Sequence, residues 1–330
     1  MLGTSATDLE RAETLAERVL PRDTPRRRML VIVNPYATTV SDRLKNLVVY
    51  ALQSRYEVEA VDTQAKLHAT ELCREAAEDG YEVVVAFGGD GTVNEAANGL
   101  IGTDVPLTCL PGGSTNVFCR SLGIPRDVVD ATEHLLQMAD RFEPRRIDLG
   151  RVNGRHFTFS SGIGLDASVV EQVDAHPKLK ARYTRWYYSY VAIKTFTQKY
   201  LLHPPHVRVE VNGRNVEGVT VVVQNSDPFT YFGNRPIRVS EGAGLDTGVL
   251  SLTVLERASA LDLPTLMTRL FSARSRTVQR HRQVQGFTNV DYARVVSTDG
   301  AFPLQVDGDF IGEFDEASYS VVPRALAVVS

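Results

Sequence analysis

The chain has 330 residues, a length for which about two domains are expected. It carries 36 basic and 40 acidic residues, and the net charge of −4 argues against a general nucleic-acid-binding protein, which would need clustered Lys and Arg. Hydrophobic residues make up 43% and charged residues 23%, a composition typical of a globular protein rather than a disordered one. The longest apolar runs are far shorter than the roughly 18 residues of a membrane span. The amino-terminal segment lacks the apolar core of a secretory signal.

The three cysteines, Cys73, Cys109 and Cys119, are scattered and lack metal-ligand spacing. An unpaired number of cysteines indicates reduced thiols, which usually pack as small hydrophobic side chains. We therefore expect a cytoplasmic protein without disulfides. None of the seven histidines has a partner at H-x-x-x-H spacing, so a zinc site is not expected.

Residues 1–28 form a predicted amino-terminal extension. Its apolar residues share one helical face: Leu9, Ala12, Ala16, Val19 and Leu20. The polar face mixes acidic with basic residues, which suits an anionic membrane poorly. A helix packed on the protein body is therefore favoured over a membrane anchor.

Residues 29–144 are predicted to form an α/β domain. Short apolar runs indicate buried strands, and stretches with helical periodicity alternate with them. The predicted strands are 30–33, 83–87 and 107–110, and the predicted helices include 66–78 and 128–138. This alternation is typical of a parallel sheet covered by helices on both faces.

Residues 145–330 are predicted to form a mainly antiparallel, β-sandwich-like second domain. Asn153-Gly154, Asn212-Gly213 and Asp307-Gly308 each lie between β-forming stretches, which is a strong hairpin signal. Residues 183–200 are aromatic-rich and read instead as a helical insertion, whose aromatic side chains suit either a core or a lipid-facing surface.

A glycine-rich loop, Gly88-Gly89-Asp90-Gly91-Thr92, separates a predicted buried strand from a helix. Glycines allow a phosphate to approach the backbone amides, although a tight turn would explain the glycines alone. Asp90 favours a site, because a carboxylate between glycines suits a metal ion or a hydroxyl. Thr92 and Glu95 have the spacing of a capping box, which predicts that Thr92 caps a helix beginning at Val93.

A second loop of the same kind, residues 111–116, reads Pro-Gly-Gly-Ser-Thr-Asn and follows the next buried strand. An N-cap alone would account for its polar side chains. Two such loops leaving the ends of buried strands in one sheet nevertheless favour a single phosphate-binding cleft. Neither loop matches the Walker A or G-x-G-x-x-G patterns.

These loops, with V-I-V-N-P at 31–35, resemble the catalytic domain of diacylglycerol kinases and of their sphingosine- and ceramide-kinase relatives, most of all the soluble bacterial lipid kinases. The resemblance extends in the right order over nearly all of residues 30–329. Further matching elements lie at 146–150, 162–167, 224–225, 244–250 and 305–309.

The resemblance implies an ATP site in the first domain, with Mg²⁺ as the accompanying ion. The residues implied to line it are Asn34, Thr63, Gly88, Gly89, Asp90, Gly91, Thr92, Val93, Asn94, Gly112, Gly113 and Ser114. Ser114 stands where the family usually has Thr, and it keeps the hydroxyl.

Two elements of the second domain depart from the family pattern. The magnesium-organising D-D-G segment reads Asp246-Thr247-Gly248 here, which leaves Asp246 as the candidate metal ligand. The D-G-E element reads Asp307-Gly308-Asp309. The resemblance implies a catalytic carboxylate there, and Asp309 is favoured over Asp307 as general base, with Asp90 as the next candidate. A simple hairpin turn is the alternative for Asp307-Gly308.

The implied function is an ATP- and magnesium-dependent lipid kinase that converts diacylglycerol to phosphatidic acid. Its partner would be a lipid presented at a membrane surface, reached from the cytoplasm by transient peripheral contact, and no nucleic acid is expected. A homodimer is left open. The alternatives are a NAD kinase-like enzyme, which shares the G-G-D-G-T loop, and a non-catalytic nucleotide- or lipid-binding regulator, which the two departures keep open.

Overall fold

The structure, a computed structural model, describes residues 6–18, 26–37, 39–164, 205–271 and 278–330. The chain divides into two compact units, Met1–Ile147 together with Arg324–Ser330, and Asp148–Pro323. The carboxyl-terminal residues from Arg324 onward therefore belong to the first unit, although their sequence position placed them with the second domain. The helix predicted at residues 183–200 lies outside the described residues.

The first unit contains a parallel sheet with buried central strands. Its strands are β1 (Arg27–Val33), β2 (Tyr56–Asp62), β3 (Val83–Gly88) and β4 (Leu107–Pro111). They are ordered β2-β1-β3-β4, and each neighbouring pair is parallel. Every residue of β3 and β4 is buried, which explains why these strands read as continuous apolar runs rather than alternating ones.

Six helices accompany this sheet in the described residues. They are α1 (Ala6–Arg18), α2 (Asp42–Leu52), α3 (His68–Glu78), α4 (Asp90–Leu100), α5 (Val117–Ser121) and α6 (Val128–Met138). Helix α1 packs on the first unit: Ala12 is buried, and Arg11 forms ion pairs with Asp127 at 3.2 Å and Asp130 at 2.5 Å. The predicted extension thus contains a helix that contacts the protein body.

The remaining strands are mainly antiparallel and belong to the second unit, except for residues 145–147 and 324–328, which belong to the first. They are β5 (Arg145–Val152), β6 (Arg155–Phe157), β7 (Ser160–Ile163), β8 (Val207–Val211), β9 (Arg214–Gly218), β10 (Thr220–Gln224), β11 (Thr230–Phe232), β12 (Arg235–Ile237), β13 (Leu250–Leu255), β14 (Val284–Val290), β15 (Tyr292–Ser297), β16 (Phe302–Val306), β17 (Asp309–Phe314) and β18 (Glu316–Val328). A helix, α7 (Leu263–Leu270), lies between β13 and β14 in the chain.

One six-stranded sheet has the order β14-β13-β10-β7-β16-β17, and all its pairs are antiparallel. A second group pairs β18 with β15, β15 with β8, and β8 with β9, again antiparallel. Buried side chains from both groups form one apolar cluster, in which the rings of Phe157 and Tyr319 meet edge to face with centroids 6.3 Å apart. The predicted fold class is confirmed for both parts of the chain.

The three predicted hairpins are also confirmed. Asn153-Gly154, Asn212-Gly213 and Asp307-Gly308 join β5 to β6, β8 to β9 and β16 to β17, and all six residues have positive φ. Positive φ at both central residues defines the type I′ turn, which Asn-Gly and Asp-Gly favour. In the part of the chain that the structure describes, no helix has the length and apolar character needed to cross a membrane.

Candidate active site

The loops that leave the carboxyl ends of the parallel strands are held together by backbone hydrogen bonds. The amide of Thr63, after β2, donates to the carbonyl of Val33 at 2.8 Å. The amide of Asn34, after β1, donates to the carbonyl of Phe87 at 3.0 Å. The strand order reverses between β1 and β3, and ligands of such sheets bind in the crevice at this point.

The two glycine loops contact each other directly through their backbones. The amide of Gly112 donates to the carbonyl of Gly88 at 2.8 Å. A β-carbon on Gly112 would lie 2.9 Å from the Cα of Gly88, and one on Gly113 would lie 2.8 Å from the Cα of Gly89. Backbone atoms cannot move away as a flexible side chain could. Close approach of the two loops is therefore one physical reason for these glycines, besides any approach of a phosphate.

Helix α4 begins earlier than its sequence indicates. Gly89 occupies the N-cap and the helix starts at Asp90, so the capping box expected at Thr92 is wrong. The Thr92 hydroxyl instead accepts a hydrogen bond from Nδ2 of Asn34 at 3.1 Å, while Oδ1 of Asn34 accepts one from the Tyr36 amide at 2.9 Å. A glycine N-cap has no side chain to bond the first amides of the helix, and amides at such a helix start suit an anion.

Asp90 connects the first glycine loop with the helix after the second. Its Oδ1 accepts a hydrogen bond from the backbone amide of Phe118, in the first turn of α5, at 3.2 Å. The side chain is partly buried. Asp90 thus has a structural contact in addition to its place at the glycine loop.

The second loop is closed by a residue that sequence analysis treated only as a helix-mouth polar group. Asn116 has φ of 51°, its Oδ1 accepts from the Gly113 amide at 2.9 Å, and its Nδ2 donates to the Gly113 carbonyl at 2.8 Å. Asn tolerates the left-handed conformation and bonds nearby backbone, which is the signal that could have identified this role. Ser114 is exposed within the closed loop.

A cleft of about 330 Å³ lies beside Asn34 and Thr63. It is lined by Val33, Pro35, Val40, Ser41, Asp42, Lys45 and Asp62. Nζ of Lys45 bonds both carboxylate oxygens of Asp62, at 2.9 and 3.2 Å. Lys45 also pairs with Asp42 at 3.7 Å, so the cleft combines apolar walls with a small charged cluster, next to two of the residues implied to bind ATP.

In the second unit, Asp307 is buried and fully engaged. One carboxylate oxygen accepts from the amide and the hydroxyl of Thr158, at 2.6 and 2.8 Å. The other accepts from the amides of Phe159 and Ser160, each at 3.0 Å. Burial raises the pKa of Asp307, and these hydrogen bonds act in the opposite direction. With 2% of its surface exposed, Asp307 holds the hairpin in place and offers no free edge to a substrate.

Asp309 differs from Asp307 in its exposure. It is the first residue of β17, opposite Val306 of β16, and its side chain is only partly buried. The turn before it is fixed by a hydrogen bond from the Gly308 amide to Oε1 of Gln305 at 2.8 Å. Of the two candidate carboxylates on this hairpin, Asp309 is therefore the one that a substrate can reach.

Two further buried polar residues were noted in the sequence only as parts of the resemblance. Oδ2 of Asp148 accepts from the Gly248 amide at 2.6 Å. Nδ2 of Asn225 donates to the carbonyls of Asp148 and Thr158, at 2.9 and 3.0 Å. Both residues are almost completely buried. No local pattern distinguishes them, since their partners lie far away along the chain.

The loop around Asp246, residues 244–249, supplies one carboxylate. Asp246 is exposed, and the hydroxyl of Thr247 lies 3.0 Å from the Gly244 carbonyl and 3.2 Å from the Val249 carbonyl. A hard cation at this loop would need further oxygen ligands besides Asp246. Within the described ranges, no group of three or more His, Cys, Asp or Glu could hold a metal. Metal binding by Asp246 therefore stays a prediction.

The comparisons with known families cover both units. The diacylglycerol kinase catalytic domain matches residues 28–152, and the YegS C-terminal NAD kinase beta sandwich-like domain matches residues 160–330. The chain belongs to the diacylglycerol kinase superfamily. Membership in this superfamily of lipid kinases agrees with the sequence resemblance. It indicates that the chain is a kinase-like enzyme.

Named relatives of this superfamily align over most of the chain. A diacylglycerol kinase of Bacillus subtilis is 26% identical and aligns over 83% of this chain and 89% of its own length. A diacylglycerol kinase of Staphylococcus carnosus is 24% identical over 87% of this chain and 90% of its own. The crystal structure of a diacylglycerol kinase from Bacillus anthracis superposes with a TM-score of 0.68 at 20% identity, covering 93% of this chain and 98% of that one, which shows the shared fold.

Proposed function

We propose that this protein is an ATP-dependent lipid kinase that transfers the γ-phosphoryl group to a lipid hydroxyl, with diacylglycerol as acceptor and phosphatidic acid as product. The observation that carries the proposal is the pair of contacting glycine loops after β3 and β4, next to the topological switch point between β1 and β3 of the parallel sheet. It stands in a chain of the diacylglycerol kinase superfamily. The acceptor would be presented at a membrane surface.

The ATP phosphates would lie against the glycine loops. Phosphoryl transfer requires positioning and charge neutralisation more than covalent chemistry by the protein. The backbone amides at the start of α4 supply hydrogen-bond donors there, and Asn34 is held next to them by its bond to Thr92. The cleft beside Asn34 and Thr63 has room for another part of the nucleotide.

Asp90 would hold Mg²⁺ together with the ATP phosphates, because Mg²⁺ in such sites is bound by one or two carboxylates plus phosphate oxygens. Mg²⁺ bound there would supply charge neutralisation at the transferred group. The hydrogen bond from Phe118 fixes one oxygen of Asp90. This orientation keeps the carboxylate at the loop.

Asp309 would act as the general base. It takes the proton of the lipid hydroxyl as the hydroxyl oxygen bonds the γ-phosphorus and the bond to the leaving ADP oxygen breaks. A positioned base contributes typically about 10²- to 10⁴-fold to such a step. Asp307, buried under four hydrogen bonds, would be a positioning residue for the hairpin that carries Asp309.

The test is a transfer assay with the purified chain, labelled ATP and Mg²⁺. The acceptors are diacylglycerol, a sphingoid base and NAD, each offered alone. We expect labelled phosphatidic acid. Labelled NADP would identify a NAD kinase-like enzyme instead, and ATP binding without transfer to any acceptor would identify a non-catalytic regulator.

A further inference from the structure

Exposed apolar side chains gather around helix α7. Phe232, Leu261, Met267 and Phe271 form what we call the α7 patch. They are four of the eight large hydrophobic side chains that are exposed in the described residues. Leu261 is 88% exposed, which is the highest value among these eight.

Three of the four side chains of the α7 patch are linked by a ring contact or by helical spacing, and Leu261 lies just before the helix. The rings of Phe232 and Phe271 meet edge to face, with centroids 5.5 Å apart. Met267 and Phe271 are four positions apart, so they lie on one side of the helix and its end. None of the eight residues of α7 is buried, although three of them are Leu. An exposed apolar surface of this kind marks an interaction site.

The surroundings of the α7 patch are basic. The described segments 227–238, 261–271 and 278–283 contain five arginines and two aspartates, in a chain whose net charge is −4. Both aspartates form ion pairs: Asp262 with Arg282 at 2.8 Å, and Asp227 with Arg238 at 3.1 Å. These segments therefore carry more positive than negative charge.

Two exposed arginines belong to the segments that carry the apolar side chains. Arg235 is directly opposite Phe232 in the β11–β12 hairpin, and its side chain is exposed. Arg280 is exposed two residues before Arg282, whose ion pair with Asp262 joins this segment to the start of α7. An apolar surface with guanidinium groups around it matches the interface of a membrane that carries anionic phospholipids.

We propose that the α7 patch docks this protein onto an anionic phospholipid membrane. The apolar side chains enter the boundary between head groups and acyl chains, and the arginines contact the lipid phosphates. The proposal rests on the proposed function, because a lipid kinase must reach an acceptor that resides in a bilayer. It identifies the surface that makes this contact.

The test is co-sedimentation of the full chain with vesicles of phosphatidylcholine alone and of phosphatidylcholine mixed with phosphatidylglycerol. We expect binding to the mixed vesicles that weakens as salt is raised. The double variants Leu261→Ser/Phe271→Ser and Arg235→Glu/Arg280→Glu should each reduce the bound fraction by roughly tenfold or more. The matched controls Tyr50→Ser and Arg208→Glu, exposed at other places, should bind as the wild type does.

Three results would overturn the docking proposal. One is a wild type that ignores the mixed vesicles, and another is patch variants that bind them unchanged. The third is a wild-type dimer that the Leu261→Ser/Phe271→Ser variant converts to a monomer in light scattering, because a second copy would then cover the patch.

Phosphorylation of a water-soluble short-chain diacylglycerol separates the two proposals. If the wild type phosphorylates it without binding vesicles, docking alone fails; vesicle binding through the patch without transfer to any acceptor leaves docking supported and overturns the kinase proposal.

Discussion

The amide and the hydroxyl of Thr158 both donate to one oxygen of the Asp307 carboxylate, at 2.6 and 2.8 Å. The other oxygen accepts from two further amides, and the residue is buried. A carboxylate that accepts four hydrogen bonds does more than complete an Asp-Gly turn. It ties the β16–β17 hairpin to the segment that enters β7.

Asp307→Asn should therefore destabilise the second unit. An amide side chain keeps one acceptor oxygen but turns an NH₂ group toward donors that need an acceptor. Leaving such buried donors unpaired costs about 1–3 kcal/mol. Chemical denaturation measures this loss of unfolding free energy, and a change below about 0.5 kcal/mol, the usual range for surface substitutions, would contradict the structural role.

Asp309→Asn, in contrast, should lower activity and leave stability unchanged. The proposed base is lost, so we expect kcat for lipid phosphorylation to fall about 10²- to 10⁴-fold. The side chain is only partly buried, so the melting temperature and ATP affinity should stay unchanged. Asp309→Glu, which keeps a carboxylate, is the control and should retain activity. Wild-type turnover in Asp309→Asn would show that the base lies elsewhere.

Two glycine-to-alanine variants test the contact between the glycine loops. Gly112→Ala would place a β-carbon 2.9 Å from the Cα of Gly88, whereas Gly89→Ala would place one at an ordinary 3.5 Å from the Cα of Gly113. We expect Gly112→Ala to lose about 1–3 kcal/mol of stability, as overpacked sites do, and Gly89→Ala to lose much less. Thermal unfolding of both proteins checks this, and equal losses would exclude loop contact as the cause.

Removal of divalent ions should not lower the melting temperature of the protein without ATP, because Thr247 rather than a metal holds the 244–249 loop. Thr247→Val removes the hydroxyl and should cost about 1 kcal/mol, the usual value of one hydrogen bond. Differential scanning fluorimetry with EDTA and with Mg²⁺ provides the measurement. Stabilisation by Mg²⁺ that disappears in Asp246→Asn would contradict this expectation and support a metal site at Asp246.

His156 should make the protein more sensitive to acid. Burial lowers its pKa below the ordinary 6.5, and the charges of Arg151 and Arg155 lower it further. The unfolded chain therefore binds a proton more readily, so this group removes stability as pH falls below about 6.5 toward its folded-state pKa. His156→Gln should flatten the dependence of melting temperature on pH in that window. An unchanged slope would contradict the lowered pKa.

Much of the architecture follows from local sequence patterns. Continuous apolar runs indicated the buried strands β3 and β4, because a strand covered on both faces needs no polar side. Asn-Gly and Asp-Gly indicated the hairpins, because these residues adopt positive φ at low cost. The predicted start of α4 was wrong by three residues because the Thr92 hydroxyl bonds Asn34, a residue distant in sequence.

The sequence by itself determined the order of strands and helices, the hairpin turns and the family, since each depends on periodicity, turn chemistry or motifs along the chain. Only the tertiary structure decided which of Asp307 and Asp309 is buried, why Gly112 cannot carry a side chain, and that exposed apolar residues gather at α7. The reason is that the contacting residues lie far apart in the sequence. Thr158 and Asp307 are 149 positions apart, and burial and hydrogen bonding over such separations arise only when the chain has folded.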